Sequence, residues 1–179
     1  MEENIKNKAP LIIANDHGGY RLKKYILEFL DEQGIPYTDI GCYSEEIVRY
    51  PHYAKQVCER ILSGEFSRGI LICSTGIGMS IAANRFPGIR ASAIADHYSA
   101  VMTRQHNDSN VLCLGGRTIG EFQAIDILKG WLDSEYIGGR HDISLGLIKD
   151  LETEILNGKE LEDIEAQICG RPGEMEEQT

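Results

Sequence analysis

Strand-length apolar runs and helix-period segments take turns along this chain, and that alternation constrains the fold more than any other feature. PLIIAN (10–15), PYTDIG (36–41), RGILIC (68–73), GIRASAIA (88–95) and NVLCLGG (110–116) read as strands. DHGGYRLKKYILEFLDEQG (16–34) puts Leu22, Ile26, Phe29 and Leu30 on one helical face and stops at Gly34. HYAKQVCERILSG (52–64), HYSAVMTRQHN (97–107) and EFQAIDILKGWL (121–132) are helical too, and another helix starts soon after Cys73. Strands that alternate with helices form βαβ units, with right-handed crossovers and a mostly parallel sheet covered on both faces. Such sheets bind ligands at the carboxyl ends of their strands. That rule selects residues 15–19, 73–80 and 115–118 before any chemistry is considered.

The rest of the chain sets limits. Residues 144–168 read as one or two terminal helices with a break near Gly158, and the final GRPGEMEEQT is expected to be disordered. The expected division is one domain over 1–157 and an acidic extension over 158–179, partly disordered or helical. Of the net charge of −10, residues 151–179 carry nine acids against two bases, so the body is close to neutral. No basic stripe invites nucleic acid, and no stretch has the length of a membrane span. The N-terminus MEENIKNKAP lacks the apolar segment of a secretory signal, so a cytoplasmic location is expected. Five cysteines at 42, 58, 73, 113 and 169 form no close pair, which disfavours both a zinc site and a disulfide framework.

Chemistry concentrates in a few stretches. In ILICSTGIGMSIAAN (70–84), Cys73 ends a strand, and Ser74-Thr75-Gly76-Ile77-Gly78 turns into a helix. Glycines let the backbone approach a ligand, and the new helix presents free N–H groups that favour an anion and a thiolate. A tight turn with a buried cysteine would look the same. A phosphatase loop of the C-x5-R-S type needs arginine where Met79 stands, a Walker A loop needs a lysine, and a dinucleotide fingerprint needs glycine where Ile81 stands. NDHGG (15–19) brings Asp16 and His17 to a strand end, where they can bind a sugar hydroxyl, orient a proton shuttle or hold a metal. TRQHND (103–108) carries His106, which can titrate near neutrality, and Asn107, both donor and acceptor. LGGRTIG (114–120) and GGRH (138–141) set Arg117 and Arg140 beside glycines, an arrangement suited to phosphate, with His141 following.

DHGG, YPHYA, GILICSTGIGMSIAAN, RQHND, LGGR and GGRH, in that order over about residues 10–150, resemble the type B ribose-5-phosphate isomerases and the related galactose- and allose-phosphate isomerases. The resemblance implies a single-domain, Rossmann-like three-layer α/β/α sandwich with a five-stranded parallel sheet. It implies aldose–ketose isomerisation of a phosphorylated sugar, foremost ribose 5-phosphate to ribulose 5-phosphate, with no metal or organic cofactor. Cys73 would be the base that moves a proton between C2 and C1, since a thiol titrates near enough to neutrality for reversible transfer. The N–H groups of Ser74, Gly76, Ile77, Gly78 and Met79 would stabilise the enediolate. Thr75 and His106 would open the sugar ring, Asp16 and Asn107 would contact the sugar, and His17, Arg117 and Arg140 would hold its phosphate. His106, Asn107 and Arg117 would come from a second subunit, which implies a homodimer or homotetramer with a shared site.

Several positions depart from the family pattern. Ser74 replaces a frequent glycine, Arg49 stands where an acid is common, and Ser144 occupies the place of a second phosphate-binding arginine, four residues after Arg140. The chain beyond about 158 exceeds the usual family length. A six-carbon aldose 6-phosphate isomerase is the alternative within the class. A non-catalytic sugar-phosphate-binding protein is the alternative outside it, although binding alone needs neither base nor proton relay.

Overall fold

The computed structural model describes residues 9–158. Its strands are β1 (Leu11–Asn15), β2 (Tyr37–Asp39), β3 (Arg68–Cys73), β4 (Ala91–Ala93) and β5 (Val111–Gly115). Its helices are α1 (Tyr20–Glu32), α2 (Tyr50–Leu62), α3 (Ile77–Ala83), α4 (His97–Asn107), α5 (Glu121–Asp133) and α6 (Arg140–Leu156). The five strands form one parallel sheet in the order β2-β1-β3-β5-β4. The expected three-layer sandwich is therefore present.

Alternation along the central strands builds two cores. Ile13, Ile70, Ile72, Leu112 and Leu114 face α1, α4 and α5, where Leu22, Ile26, Leu30, Ala100, Ile127 and Trp131 meet them. Ile12, Ala14, Leu71, Cys73 and Cys113 face α2 and α3, where Val57, Cys58, Met79 and Ala83 meet them. Strands buried on both faces lose the polar alternation of a surface sheet, which is why RGILIC reads as a continuous apolar run.

Two boundaries differ from expectation. The strand expected over 88–95 is only three residues long. It lies at the sheet edge, where the Asn84 side chain takes the Ala91 N–H and donates to the Ala91 carbonyl, each at 2.8 Å, in place of a neighbouring strand. The last helix begins at Arg140, not 144, and runs unbroken to Leu156. Gly138 and Gly139, with φ of +62° and +65°, make the sharp turn that starts it early. Gly158 follows with φ +68°, and the rest of the expected extension lies outside the described residues. No helix among the described residues is long and apolar enough to cross a membrane.

Candidate active site

Sheet order reverses direction between β1 and β3, and the crevice at such a switch point is where α/β sheets bind ligands. Asp16 leaves β1 with its N–H on the Ile72 carbonyl at 3.0 Å. Its Oδ1 accepts from the N–H groups of Gly18 at 2.8 Å and Gly19 at 3.2 Å, closing the DHGG turn. The loop after β5 locks onto the loop after β3: Gly116 N–H donates to the Cys73 carbonyl (2.7 Å) and Arg117 N–H to the Ser74 carbonyl (3.0 Å). A Cβ on Gly116 would stand 2.6 Å from the Gly18 carbonyl oxygen, so the loops touch backbone to backbone. Asp16, His17, Cys73, Ser74 and Arg117 thus share one edge. The Ser74 hydroxyl packs against Gly18, where any Cβ would collide with it.

Cys73 is 5% exposed at the tip of β3, and its Sγ accepts the Gly76 N–H at 3.1 Å. Gly76 reaches that position with φ +77°, and a Cβ there would crowd the Cys113 carbonyl oxygen at 3.2 Å. Thr75 is exposed beside the cysteine, and its Oγ1 accepts the Ile77 N–H at 3.3 Å. Ile77, Gly78 and Met79 open α3, so their N–H groups lack partners within the helix. The Met79 side chain is fully buried in the core, which leaves its backbone as the only part that can face a ligand. The Tyr50 ring covers Gly78, 3.0 Å from where a Cβ would stand. Sequence reasoning missed this contact, and the glycine at 78 was its only trace.

Three further cysteines lie buried among the described residues. Burial pushes the Cys58 thiol up to about 12 and the Cys113 thiol well above the usual cysteine range. Burial also raises Cys42. All three are held as neutral thiols.

His17 is fixed by the far side of the cleft. Its Nδ1 accepts the Val48 N–H at 3.4 Å, which leaves Nε2 as the N–H that can donate to an anion. The segment that carries Val48 is tethered by Lys23, which is 1% exposed. Its Nζ pairs with Asp39 at 2.8 Å and donates to the Cys42 carbonyl at 2.9 Å. A lysine one position from the apolar stripe of α1 gives no sequence signal of burial, because its partners come from the β2 end.

His106, Asn107 and Arg140 lie at the opposite edge of the sheet. Helix α4 runs back from the carboxyl edge, and Asn110, three residues after its end, accepts the Gly69 N–H at 2.9 Å near the start of β3. Four residue steps of β3 separate that level from Cys73, about 13 Å. Asp108 ends α4 with φ +45°, a conformation rare outside glycine. Arg90 and Arg104 grip its carboxylate at 2.6 and 2.9 Å, and so fix the helix end that presents His106 and Asn107. The His141 ring stacks on His106, and burial, His106 and Arg140, in that order, lower the His141 pKa. Arg140 is exposed at the start of α6, and Ser144 one turn on is exposed too and offers no cation.

The expected grouping is corrected at one residue. Arg117 was expected alongside His106 and Asn107, but its backbone bond to Ser74 puts it on the Cys73 edge, and its charge helps lower the pKa of Glu45 on the same rim, after larger contributions from Arg21. The fold thus divides the expected site into a Cys73 half and a His106 half.

Residues 11–148 match the family described as Ribose/Galactose Isomerase. The chain belongs to this family. Over 145 residues it is 50% identical to a putative sugar phosphate isomerase, YwlF, of Bacillus subtilis, covering 80% of this chain and 97% of that one. It is 47% identical to ribose-5-phosphate isomerase B of Escherichia coli over 76% of this chain and 92% of that one. The ribose-5-phosphate isomerase B structure from Clostridium thermocellum superposes with a TM-score of 0.80 at 46% identity, covering 82% of this chain and 99% of that one. As a member of the ribose/galactose isomerase family, the chain is an aldose–ketose isomerase of phosphorylated sugars. Among the described residues no three His, Cys, Asp or Glu side chains converge as a metal-holding group.

Proposed function

We propose that the chain interconverts ribose 5-phosphate and ribulose 5-phosphate in a site shared by two copies of itself. The observation that carries the chemistry is Cys73 at the β1–β3 crevice, its sulfur on the Gly76 N–H and the helix-start amides of Gly78 and Met79, which lack partners within the helix, beside it. In this reading His106 of one copy passes a proton to the ring oxygen while the anomeric hydroxyl, hydrogen-bonded to Thr75 of the other, gives up its proton to water, and the sugar opens to the aldehyde. The Cys73 thiolate then takes the C2 proton. Charge develops on O1, where the amides of residues 74–79 receive it; one such donor contributes about 2.7–4 kcal/mol to a transition state. The proton returns to C1, and the O2 hydroxyl proton moves to O1 as the C2 carbonyl forms. Asp16 and Asn107 orient the hydroxyls. His17, Arg117 and Arg140 hold the phosphate, with one arginine fewer than expected because Ser144 supplies none.

The sheet's scale of about 13 Å supports a shared site, since it exceeds the reach of a side chain from the His106 edge to Cys73 of the same chain. Helix α6 supports a second copy as its cover. It has no buried residue although Ile143, Leu147, Leu151 and Ile155 repeat along it, and a helix of that composition needs a partner surface. The free thiols among the described cysteines fit a reducing, cytoplasmic setting.

The test is proton NMR in D2O with ribose 5-phosphate, allose 6-phosphate and galactose 6-phosphate offered separately. Turnover with deuterium entering the ketose at C1 is expected for ribose 5-phosphate. Turnover of a six-carbon substrate alone would move the assignment within the class. Binding without exchange of any of them would make the chain a sugar-phosphate-binding protein.

A further inference from the structure

The turn that carries Arg140 also lays a second imidazole over His106. Gly138 and Gly139 take positive φ, the Ile137 N–H holds the Gln105 carbonyl at 3.1 Å, and Tyr136 Oη donates to Asp142 Oδ1 at 2.7 Å. These restraints set the His141 ring flat on His106, with centroids 4.2 Å apart and planes within 10°. We propose that His141 is a positioning residue for ring opening: its face holds the His106 imidazole at the angle from which that ring passes a proton to the ring oxygen of a cyclic sugar phosphate. The proposal rests on His106 as the ring-opening group.

A half-exposed histidine at a helix end turns freely about its outer torsion, whose energy wells are broad. A stacked partner removes that freedom and leaves both nitrogens, which lie on the ring edge, open to a ligand. Two imidazoles at this distance do not readily carry a proton each, because like charges disfavour the second. The neighbours of the pair are Arg140 and Asp142 on α6, Tyr136 in the preceding turn, and Asp108 with Arg90 beyond them. Burial, His106 and Arg140, in that order, disfavour protonation of His141, while Asp142 favours it.

The position of the phosphate provides the discriminating substrate. Ribulose 5-phosphate has its C5 oxygen esterified and cannot close a five-membered ring on C2, so it reaches the base as an open chain. Loss of the support should therefore slow reaction of the cyclic aldose and spare proton exchange at C1 of the ketose.

The experiment compares full-length protein with His141→Ala and His141→Phe variants. It measures kcat and KM for ribose 5-phosphate, C1 exchange of ribulose 5-phosphate in D2O, and the His106 ring-proton shifts by NMR. His141→Ala is expected to lower kcat for the aldose about tenfold or more, as a small displacement of an acting group does, with KM and ketose exchange within about twofold. His141→Phe, which keeps the flat face, is expected to retain most of the activity and the upfield ring-current shift of the His106 protons that His141→Ala loses. Equal slowing of both reactions in His141→Ala, or a His141→Phe variant as impaired as His141→Ala, would overturn the proposal. A parent protein without that ring-current shift would overturn it even if turnover is normal. If the parent turned over neither sugar but kept the shift, the reaction would be misassigned and the positioning proposal would fall with it.

Discussion

Cys73 and Cys113 sit on neighbouring strands, on the same face of the sheet, with Cys113 level with Leu71 and Cys73 level with Gly115. Two rungs along the strand separate a sulfur with a loop amide on it from one sealed in the core. The difference is position along the strand: only the last residue of β3 meets the loop that follows. Replacing the proposed base should therefore uncouple chemistry from binding. Cys73→Ala is expected to lower kcat by about 10²–10⁴, the range for a positioned proton-transfer group, while calorimetric binding of ribose 5-phosphate stays within a few-fold. Full turnover by this variant would remove Cys73 as the base. Motif order made Cys73, Asp16 and His17 legible from the chain alone. Lys23 was not legible, because a lysine is read as solvated until the carboxylate that receives it, here Asp39 sixteen residues away, is brought beside it by the pairing of β1 with β2.

At the scale of elements, the site consists of short turns that follow strands of known length. RGILIC ended where its apolar run ended, and Gly76 marked the start of α3 by the backbone it adopts. Gly76→Ala places a side chain at φ +77° and against the Cys113 carbonyl. A left-handed residue with a Cβ costs roughly 1–2 kcal/mol before any crowding. Urea unfolding is expected to show a loss of that size or somewhat more, with activity falling further than stability because the Gly76 N–H leaves the Cys73 sulfur. An unchanged kcat in a folded Gly76→Ala protein would show that this amide does not matter. The ends of β4 and α6 were harder to place from the chain. Each depends on a contact remote in sequence: Asn84 taking the outer edge of β4, and the turn before α6 pinned to Gln105.

At the scale of the molecule, the proposed site shared between copies rests on the division between the two sheet edges. If Cys73 of one copy works with His106 of another, two inactive variants should rescue each other. Cys73→Ala and His106→Asn, unfolded together and refolded as a mixture, are expected to recover about a quarter of parental activity, because half of the random dimers carry one intact site of two. Each variant refolded alone is expected to stay near its own background. No recovery would place the whole site within one chain or exclude His106 from it. The sequence by itself determined the alternation of strands and helices, the loops that would bind a ligand, and the residue types in them, because these depend on periodicity and on neighbours within a few positions. The tertiary structure alone decided which of those residues stand together. Each helix returns the chain across the sheet, so the start of a βα unit and its end lie on opposite edges. Arg117 therefore joined Cys73, and His106 joined Arg140 and His141, a grouping set by the direction of travel through the sheet that no local pattern records.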